Sequence, residues 1–308
     1  MVGAPIATRA QSKDYGGGRG LFDLDLEVGR GEVFGYLGPN GAGKTTTIRL
    51  LMGMIRPTRG AATVFGLDCG REAVAVKRHV GFLPGELPQF GGLRGSEVVG
   101  YLAGLRGGID AERVKTLAER LELNLGLRFR EYSRGNKQKL GLVLAFMHRP
   151  DLLILDEPTG GLDPLNQQEF YRMVLEAKAD GATVFLSSHI LSEVEHICDR
   201  VGIVRHGKLV KVAELEDLHD LRVRKVEVKF AATAPESEIR ALAGTEGVEV
   251  HGQTLTCTVR GAFTPFLEVL ARHDVHNLTS EEPSLEEVFL TYYSDRPAGA
   301  AEAEPALA

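Results

Sequence analysis

Apolar side chains recur at every second position early in the chain. Residues 21–28 alternate between apolar and acidic side chains, which predicts a half-exposed strand. A Gly-Arg-Gly turn at 29–31 leads into the apolar run 32–37. The pattern therefore predicts that these two segments form an antiparallel hairpin.

Helices and buried strands alternate through the rest of the first 213 residues. Continuous apolar runs, typical of parallel strands buried on both faces, occur at 80–83, 152–155 and 183–186. Segments with helical periodicity occur at 45–54, 96–106, 110–121, 136–147 and 164–179. We predict an α/β fold with a mostly parallel sheet, an N-terminal antiparallel β subdomain and a helical insertion at about 84–140. Ligands are expected at the carboxyl ends of the parallel strands.

The pattern changes near residue 222. From there to 294 the predicted order is β-α-β-β-α-β, which indicates a small ferredoxin-like α+β domain. Ser284 and Glu287 form a capping box that predicts the start of a further helix. Residues 295–308 are rich in Ala, Pro and Glu, so we predict a disordered tail.

Composition narrows the class of protein. The 308 residues, 43% of them hydrophobic, are enough for about two domains. A net charge of -6 makes nucleic acid an unexpected partner. Cys69, Cys198 and Cys257 are widely separated and lack metal-ligand spacing, which favours a reducing compartment. Since no apolar run approaches the ~18 to 20 residues that span a bilayer, we expect a soluble, cytoplasmic chain.

A complete phosphate-binding motif, G-x-x-x-x-G-K-[ST], lies between a predicted strand and a predicted helix. In this context the backbone N–H groups and the helix N-terminus attract an anion, while Lys44 and Thr45 supply an ammonium and a Mg²⁺-binding hydroxyl. The nucleotide-binding residues predicted from this motif are Gly38, Pro39, Asn40, Gly41, Ala42, Gly43, Lys44, Thr45 and Thr46.

Two carboxylates follow the apolar run at 152–155. Asp156 is placed to hold Mg²⁺ at the end of this strand, and Glu157 to orient and deprotonate the water that attacks the γ-phosphate. His189 follows the next buried strand, where an imidazole can hydrogen-bond the γ-phosphate. These residues predict nucleotide hydrolysis.

With these motifs in order, residues 1–213 resemble the ATP-binding subunit of an ABC transporter. The resemblance implies a P-loop NTPase (RecA-like) core, ATP and Mg²⁺ as ligands, and a head-to-tail dimer of ATP-binding subunits. It also implies that Tyr15 stacks on adenine, that Asp163 belongs to the loop after the Asp-Glu pair, and that His189 is the switch histidine. The signature motif is represented by 132–136, in which Ser133 and Gly135 grip the γ-phosphate bound to the other subunit.

Two positions depart from the family pattern. Arg134 stands where the signature usually has glycine, which affects how closely the backbone approaches the phosphate. Gly85 stands where the family usually has a glutamine that senses Mg²⁺, and glycine has no side-chain oxygen. We therefore predict that the next residue, Glu86, takes over this role, the alternative being an uninvolved loop carboxylate.

Three classes of function agree with the motifs to different degrees. The first is an ATPase at the cytoplasmic face of the membrane that powers export of a drug-like, antibiotic-like or lipid-like molecule through a separate multi-span permease. The second is a soluble ABC ATPase that acts on a macromolecular assembly. A P-loop kinase is disfavoured by Glu157 and by the signature motif.

Overall fold

The computed structural model describes residues 3–215 and 223–281. Its contacts divide the chain between Ala213 and Glu214 into two compact units. The helix predicted from Ser284 and the tail at 295–308 lie outside the described residues. No helix in the described part of the chain is both long enough and apolar enough to cross a bilayer.

The first unit contains two sheets, with helices between the strands. The strands are β1 (Ile6–Asp14), β2 (Gly20–Val28), β3 (Val33–Leu37), β4 (Arg59–Val64), β5 (Leu67–Asp68), β6 (Val80–Leu83), β7 (Leu152–Asp156), β8 (Thr183–Ser188), β9 (Arg200–Arg205) and β10 (Lys208–Glu214). The helices are α1 (Lys44–Leu51), α2 (Ala73–His79), α3 (Gly95–Leu105), α4 (Ala111–Arg120), α5 (Arg134–Phe146), α6 (Pro164–Ala179) and α7 (Leu191–Ile197).

The larger sheet carries the elements that form the candidate site. Its strand order is β10-β9-β3-β8-β7-β6, and the strands from β9 to β6 are paired in parallel. Strands β3, β7 and β8 are buried at every position, as expected for parallel strands covered on both faces. Since these three strands are neighbours, the loops at their carboxyl ends meet at one edge of the sheet.

The predicted hairpin between 21–28 and 32–37 is wrong. Strand β2 pairs with β1 in a separate antiparallel sheet of order β2-β1-β4-β5, whereas β3 lies between β8 and β9 in the larger sheet. The reason lies in burial, because β2 alternates between buried and exposed residues while β3 is buried throughout. Glu32 stabilises the change of direction by accepting a hydrogen bond from the Gly29 backbone N–H at 2.5 Å.

Apolar side chains from both sheets pack with α1 into one core. This core includes Leu24 of β2, Tyr36 of β3, Ile48 of α1 and Ile154 of β7, all essentially inaccessible to solvent. Burying a side chain of this size is worth roughly 1.5–3 kcal/mol relative to leaving it exposed. The antiparallel sheet is therefore packed against β3, α1 and β7.

The helical insertion lies between β6 and β7. Helices α3 and α4 agree with the predictions at 96–106 and 110–121 to within one residue at each end, and a 3₁₀ turn, Phe129–Glu131, precedes α5. Helix α1 ends at Leu51, three residues earlier than predicted, because Gly53 adopts a positive φ of 59°. These differences leave the predicted α/β class intact, and the structure confirms it.

The second unit is a four-stranded antiparallel sheet with two helices. Its elements are β11 (Val223–Phe230), α8 (Glu236–Arg240), β12 (Thr245–His251), β13 (Thr254–Arg260), α9 (Thr264–Leu270) and β14 (Val275–Glu281). The strand order is β12-β13-β11-β14. This is the β-α-β-β-α-β element order that the sequence predicts, and the unit has its own apolar core around Val228, Leu255 and Phe266.

Candidate nucleotide-binding site

The phosphate loop leaves the buried strand β3 and enters α1. A Cβ atom at Gly38 would lie 2.5 Å from the Val204 carbonyl oxygen, so a side chain is excluded there. Gly41 and Gly43 adopt positive φ angles of 82° and 111°, which glycine allows at little cost. Gly43 is also the N-cap of α1. The loop therefore has the backbone freedom and the helix N-terminus that a phosphate requires.

Lys44 is held at the mouth of this loop. Its side chain is buried, and its Nζ atom donates to the carbonyl oxygens of Gly38, at 2.6 Å, and Pro39, at 3.3 Å. The same Nζ lies 3.1 Å from Oε1 of Glu157. The structure thus brings the ammonium of the phosphate loop close to the carboxylate after β7.

Thr45 and Asp156 meet at the end of β7. Thr45 Oγ1 donates to Asp156 Oδ2 at 3.0 Å, and Ser187 Oγ at the end of β8 donates to Asp156 Oδ1 at 2.5 Å. Such oxygen donors suit Mg²⁺, which binds through one or two protein ligands and completes its shell with water and substrate phosphates. Within the described ranges, no group of three or more His, Cys, Asp or Glu side chains could hold a metal. The residues therefore fit Mg²⁺ bound together with a nucleotide, and Thr45 and Asp156 would hold it.

Glu157 is fixed in an unusual backbone conformation. Its φ of 51° lies in the left-handed region, which is uncommon for a side chain other than glycine. Its N–H donates to Ser187, and its carbonyl oxygen accepts from Gln138 Nε2 at 3.1 Å. Strain of this kind persists where the surroundings hold it and is frequent at functional sites.

His189 contacts Glu157 directly. Its Nδ1 atom lies 2.6 Å from Glu157 Oε2, and the other carboxylate oxygen of Glu157 faces Lys44. The arrangement forms a chain of Lys44, Glu157 and His189 across the carboxyl ends of three neighbouring strands. The Glu157 carboxylate can orient a water molecule and accept its proton, and the His189 imidazole can hydrogen-bond that carboxylate.

Tyr15 lies in a pocket of about 430 Å³ that also contains residues of the phosphate loop. The tyrosine is half exposed, as a ring that stacks on a base must be. Arg19 and His206 line the same pocket, and no sequence motif indicates either residue. They are brought in because Gly20, Gly43 and Gly207 pack backbone to backbone, which joins the loop after Tyr15, the phosphate loop and the β9–β10 turn.

The signature residues lie elsewhere. Ser133 is the N-cap of α5 and accepts a hydrogen bond from the Asn136 N–H at 3.2 Å. Among the described residues, neither Ser133 nor Gly135 lines the pocket that contains Lys44. A Cβ atom at Gly135 would lie 2.6 Å from the Gly161 carbonyl oxygen. In this chain the signature loop therefore packs against the loop after the Asp-Glu pair.

Arg134 extends this contact. The Arg134 side chain lies along Gly161, and its Cγ atom is 3.3 Å from the position that a Cβ atom on Gly161 would take. Asp163 is the N-cap of α6 and accepts from the Asn166 N–H at 3.0 Å. The hydrogen bonds from Asn166 hold the pKa of Asp163 below its usual value. Asp163 does not line the pocket either, within the part of the chain that the structure describes.

Gly85 lies beside the Asp156 carboxylate. A Cβ atom at this position would be 3.2 Å from Asp156 Oδ2, which is tighter than ordinary contact. Glu86 is an exposed loop residue. Its substitution for the missing glutamine stays a prediction.

A phosphate loop facing a strand-end Asp-Glu pair, with a histidine at the end of the next strand, defines a P-loop nucleotide hydrolase. Residues 21–160 match the family model described as ABC transporter. The chain is 33% identical over 297 residues to Nod factor export ATP-binding protein I of Cupriavidus pinatubonensis, covering 93% of this chain and 90% of that protein. It therefore belongs to the ABC transporter family and is an ATP-binding subunit with ATPase chemistry.

Two further similarities support this assignment. The linearmycin resistance ATP-binding protein LnrL of Bacillus subtilis is 32% identical over 300 residues, which cover 90% of this chain and 94% of that protein. A solved structure of an ATP-binding subunit of an ABC transporter superposes with a TM-score of 0.64 at 31% identity, covering 70% of this chain and 91% of the other. The predicted family and the P-loop NTPase core are confirmed.

Proposed function

We propose that this chain hydrolyses ATP to power export of a small molecule of the drug, antibiotic or lipid-like kind through a separate membrane permease. The main support is the similarity over both units to subunits named for Nod factor export and linearmycin resistance. Transported molecules contact the permease, so the proposed class of substrate rests on these relatives alone.

The proposed chemistry begins with ATP held by the first unit. Tyr15 stacks on the adenine ring, the loop from Gly38 to Thr46 binds the phosphates, and Lys44 faces the γ-phosphate. Bound Mg²⁺ supplies neutralisation of the charge that develops on the phosphate oxygens.

Glu157 is the proposed general base. It orients the attacking water and accepts its proton, so that the γ-phosphoryl group passes to water and ADP and phosphate result. His189, at 2.6 Å from Glu157, hydrogen-bonds this carboxylate and reports the state of the γ-phosphate. Both side chains lie at strand ends, where the fold can hold them within hydrogen-bond reach of a water molecule.

The proposed active site is composite. Ser133, Gly135 and Asp163 are predicted nucleotide contacts, yet they lie away from the pocket of their own chain. The N-terminus of α5, which runs for 13 residues, is suited to bind an anion brought by a second subunit. We therefore propose a head-to-tail dimer with two ATP molecules, formed with a second copy or with a related subunit.

A pull-down from detergent-solubilised membranes tests the transport proposal. We expect a tagged chain to recover a multi-span membrane protein, and ATP hydrolysis by the recovered complex to exceed that of the chain alone. This outcome would also support a location at the membrane. Recovery of soluble assemblies without a membrane protein would contradict export and favour action on a macromolecular assembly.

A further inference from the structure

Glu193 is a buried carboxylate to which the chemistry above gives no role. It lies in α7, directly behind the loop that carries His189, and its exposed fraction is 3%. Removing a carboxylate from water is costly unless its oxygens receive hydrogen bonds. The buried carboxylate of Glu193 therefore depends on the hydrogen bonds that its oxygens accept.

Both oxygens of Glu193 accept hydrogen bonds from hydroxyl groups of the two loops that form the site. Oε2 accepts from Ser188 Oγ at 2.6 Å, and Oε1 accepts from Thr159 Oγ1. Burial raises the pKa of Glu193, and the hydrogen bond from Ser188 opposes that rise. The hydroxyl donors thus stabilise the ionised form that binds them.

The two hydroxyls belong to residues close in sequence to His189 and Glu157. Ser188 immediately precedes His189, and Thr159 follows Glu157 by two residues. Since His189 Nδ1 contacts Glu157 Oε2 on the pocket side, a closed ring results. It runs from Glu157 through His189, Ser188 and Glu193 to Thr159 and back along the chain.

Thr159 also determines where the following loop begins. Its carbonyl oxygen accepts from the Leu162 N–H at 2.9 Å, one residue before Asp163. A displacement of Thr159 would therefore move both Glu157 and the loop that packs against the signature residue Gly135.

We propose that Glu193 is a positioning residue for ATP hydrolysis: its buried carboxylate binds Thr159 and Ser188 together and thereby fixes Glu157 against His189. The inference rests on the roles proposed above for Glu157 and His189. It differs from a purely structural role for Glu193 at the third position of α7, where an acidic side chain favours the helix N-terminus. A helix-stabilising role affects the melting temperature, whereas a positioning role affects turnover.

The test compares Glu193→Ala with Glu193→Gln in the full chain, measuring kcat, KM for ATP and melting temperature. A misplacement of about 1 Å can cost about 100-fold in rate, so we expect kcat of the alanine variant to fall at least 10-fold. The KM should stay within about threefold, because the phosphate loop is untouched. The glutamine variant should recover most of the rate, since an amide can hydrogen-bond both hydroxyls.

Glu119→Gln is the control, because it makes the same chemical change on an exposed side chain of α4. Its kcat should equal that of the unsubstituted chain. In a His189→Ala background, Glu193→Ala should add little further loss, because the ring is already open there.

Three results would overturn the proposal: a kcat of folded Glu193→Ala within twofold of the unsubstituted chain, equal changes in kcat and KM without rescue by glutamine, or full additivity with His189→Ala. If Glu193→Ala does not fold, Thr159→Val removes one hydroxyl of the ring and should lower kcat selectively. An unchanged kcat in that variant overturns the proposal too. Failure of the hydrolytic assignment is recognised separately, since Glu157→Gln would then retain its activity.

Discussion

At the residue scale, the site depends on positions where a side chain would not fit. Gly38 lies against Val204, and Gly135 lies against Gly161. The sequence marks the first of these through a contiguous motif. The close approach of Gly135 to Gly161 joins residues distant in sequence, so only the folded chain could reveal it.

Gly135→Ala should impair hydrolysis. The added Cβ atom would lie 2.6 Å from the Gly161 carbonyl oxygen, so the signature loop and the loop before Asp163 must separate. We expect at least about a 10-fold fall in kcat, as for other misplaced catalytic groups. Gly104→Ala is the control, because its Cβ position in α3 faces open space, and its rate should be unchanged.

Glu86→Ala tests the predicted replacement for the missing glutamine. If Glu86 senses Mg²⁺ and ATP, permease-stimulated hydrolysis should fall about 10-fold, as for loss of other groups that support a metal. Glu119→Ala removes another exposed carboxylate, from α4, and should leave stimulation unchanged. Equal stimulation in both variants would make Glu86 an uninvolved loop residue.

At the element scale, one arginine joins the helical insertion to the core. Arg120 of α4 contacts Glu169 at 2.5 Å and Glu176 at 2.6 and 2.9 Å, both in α6. Helix α6 begins directly after Asp163. This contact therefore links the helical insertion, which includes the signature motif, to the helix that follows the loop after the Asp-Glu pair.

Arg120→Ala should destabilise the first unit. Arg120 and Glu169 are mostly shielded from water, with side chains 23% and 15% exposed. The decrease in the free energy of unfolding should exceed the ~0.2–1 kcal/mol of a surface ion pair but stay below the ~3–5 kcal/mol lost when one partner of a fully buried pair is removed. Urea unfolding measures it. Arg172→Ala, which removes the 69% exposed partner of Glu169, should cost less than 1 kcal/mol, and equal effects of the two substitutions would contradict the account.

His148, after α5, should make the unit acid-sensitive. Burial, with the nearby Arg106 guanidinium, lowers the pKa of His148 to about 4 from 6.5. Between these values the unfolded chain binds a proton that the folded chain excludes, so stability falls as pH decreases from 6.5 towards 4. Thermal melting across this range should show a shallower decrease for His148→Gln. An unaltered slope for His148→Gln would refute the assignment.

Elements with a strong local pattern could be predicted from sequence, and pairings between elements could not. The buried run at 152–155 and the helix at 164–179 are present as expected. The hairpin between β2 and β3 was wrong because a glycine turn does not specify which sheet the next strand joins. The sequence pattern did not indicate the contacts of Gln138 and Glu193. Gln138 binds a backbone oxygen 19 residues away along the chain, and the two partners of Glu193 lie on different loops.

At the scale of the whole molecule, the proposed function requires more than one chain. The pocket around Lys44 contains the phosphate loop and Glu157, while Ser133 and Gly135 lie outside it in the described residues. The second unit has its own core and sheet. Similarity to exporter subunits extends across both units, so hydrolysis and dimer formation should be measured with the full chain.

Glu157→Gln tests the composite hydrolytic site most directly. The amide keeps the shape of the side chain but cannot accept a proton from water, so ATP should bind while hydrolysis falls about 100-fold or more. ATP should then hold the subunits together, and sedimentation should show a stable ATP-dependent dimer. Hydrolysis at the rate of the unsubstituted chain, or a monomer saturated with ATP, would contradict the account.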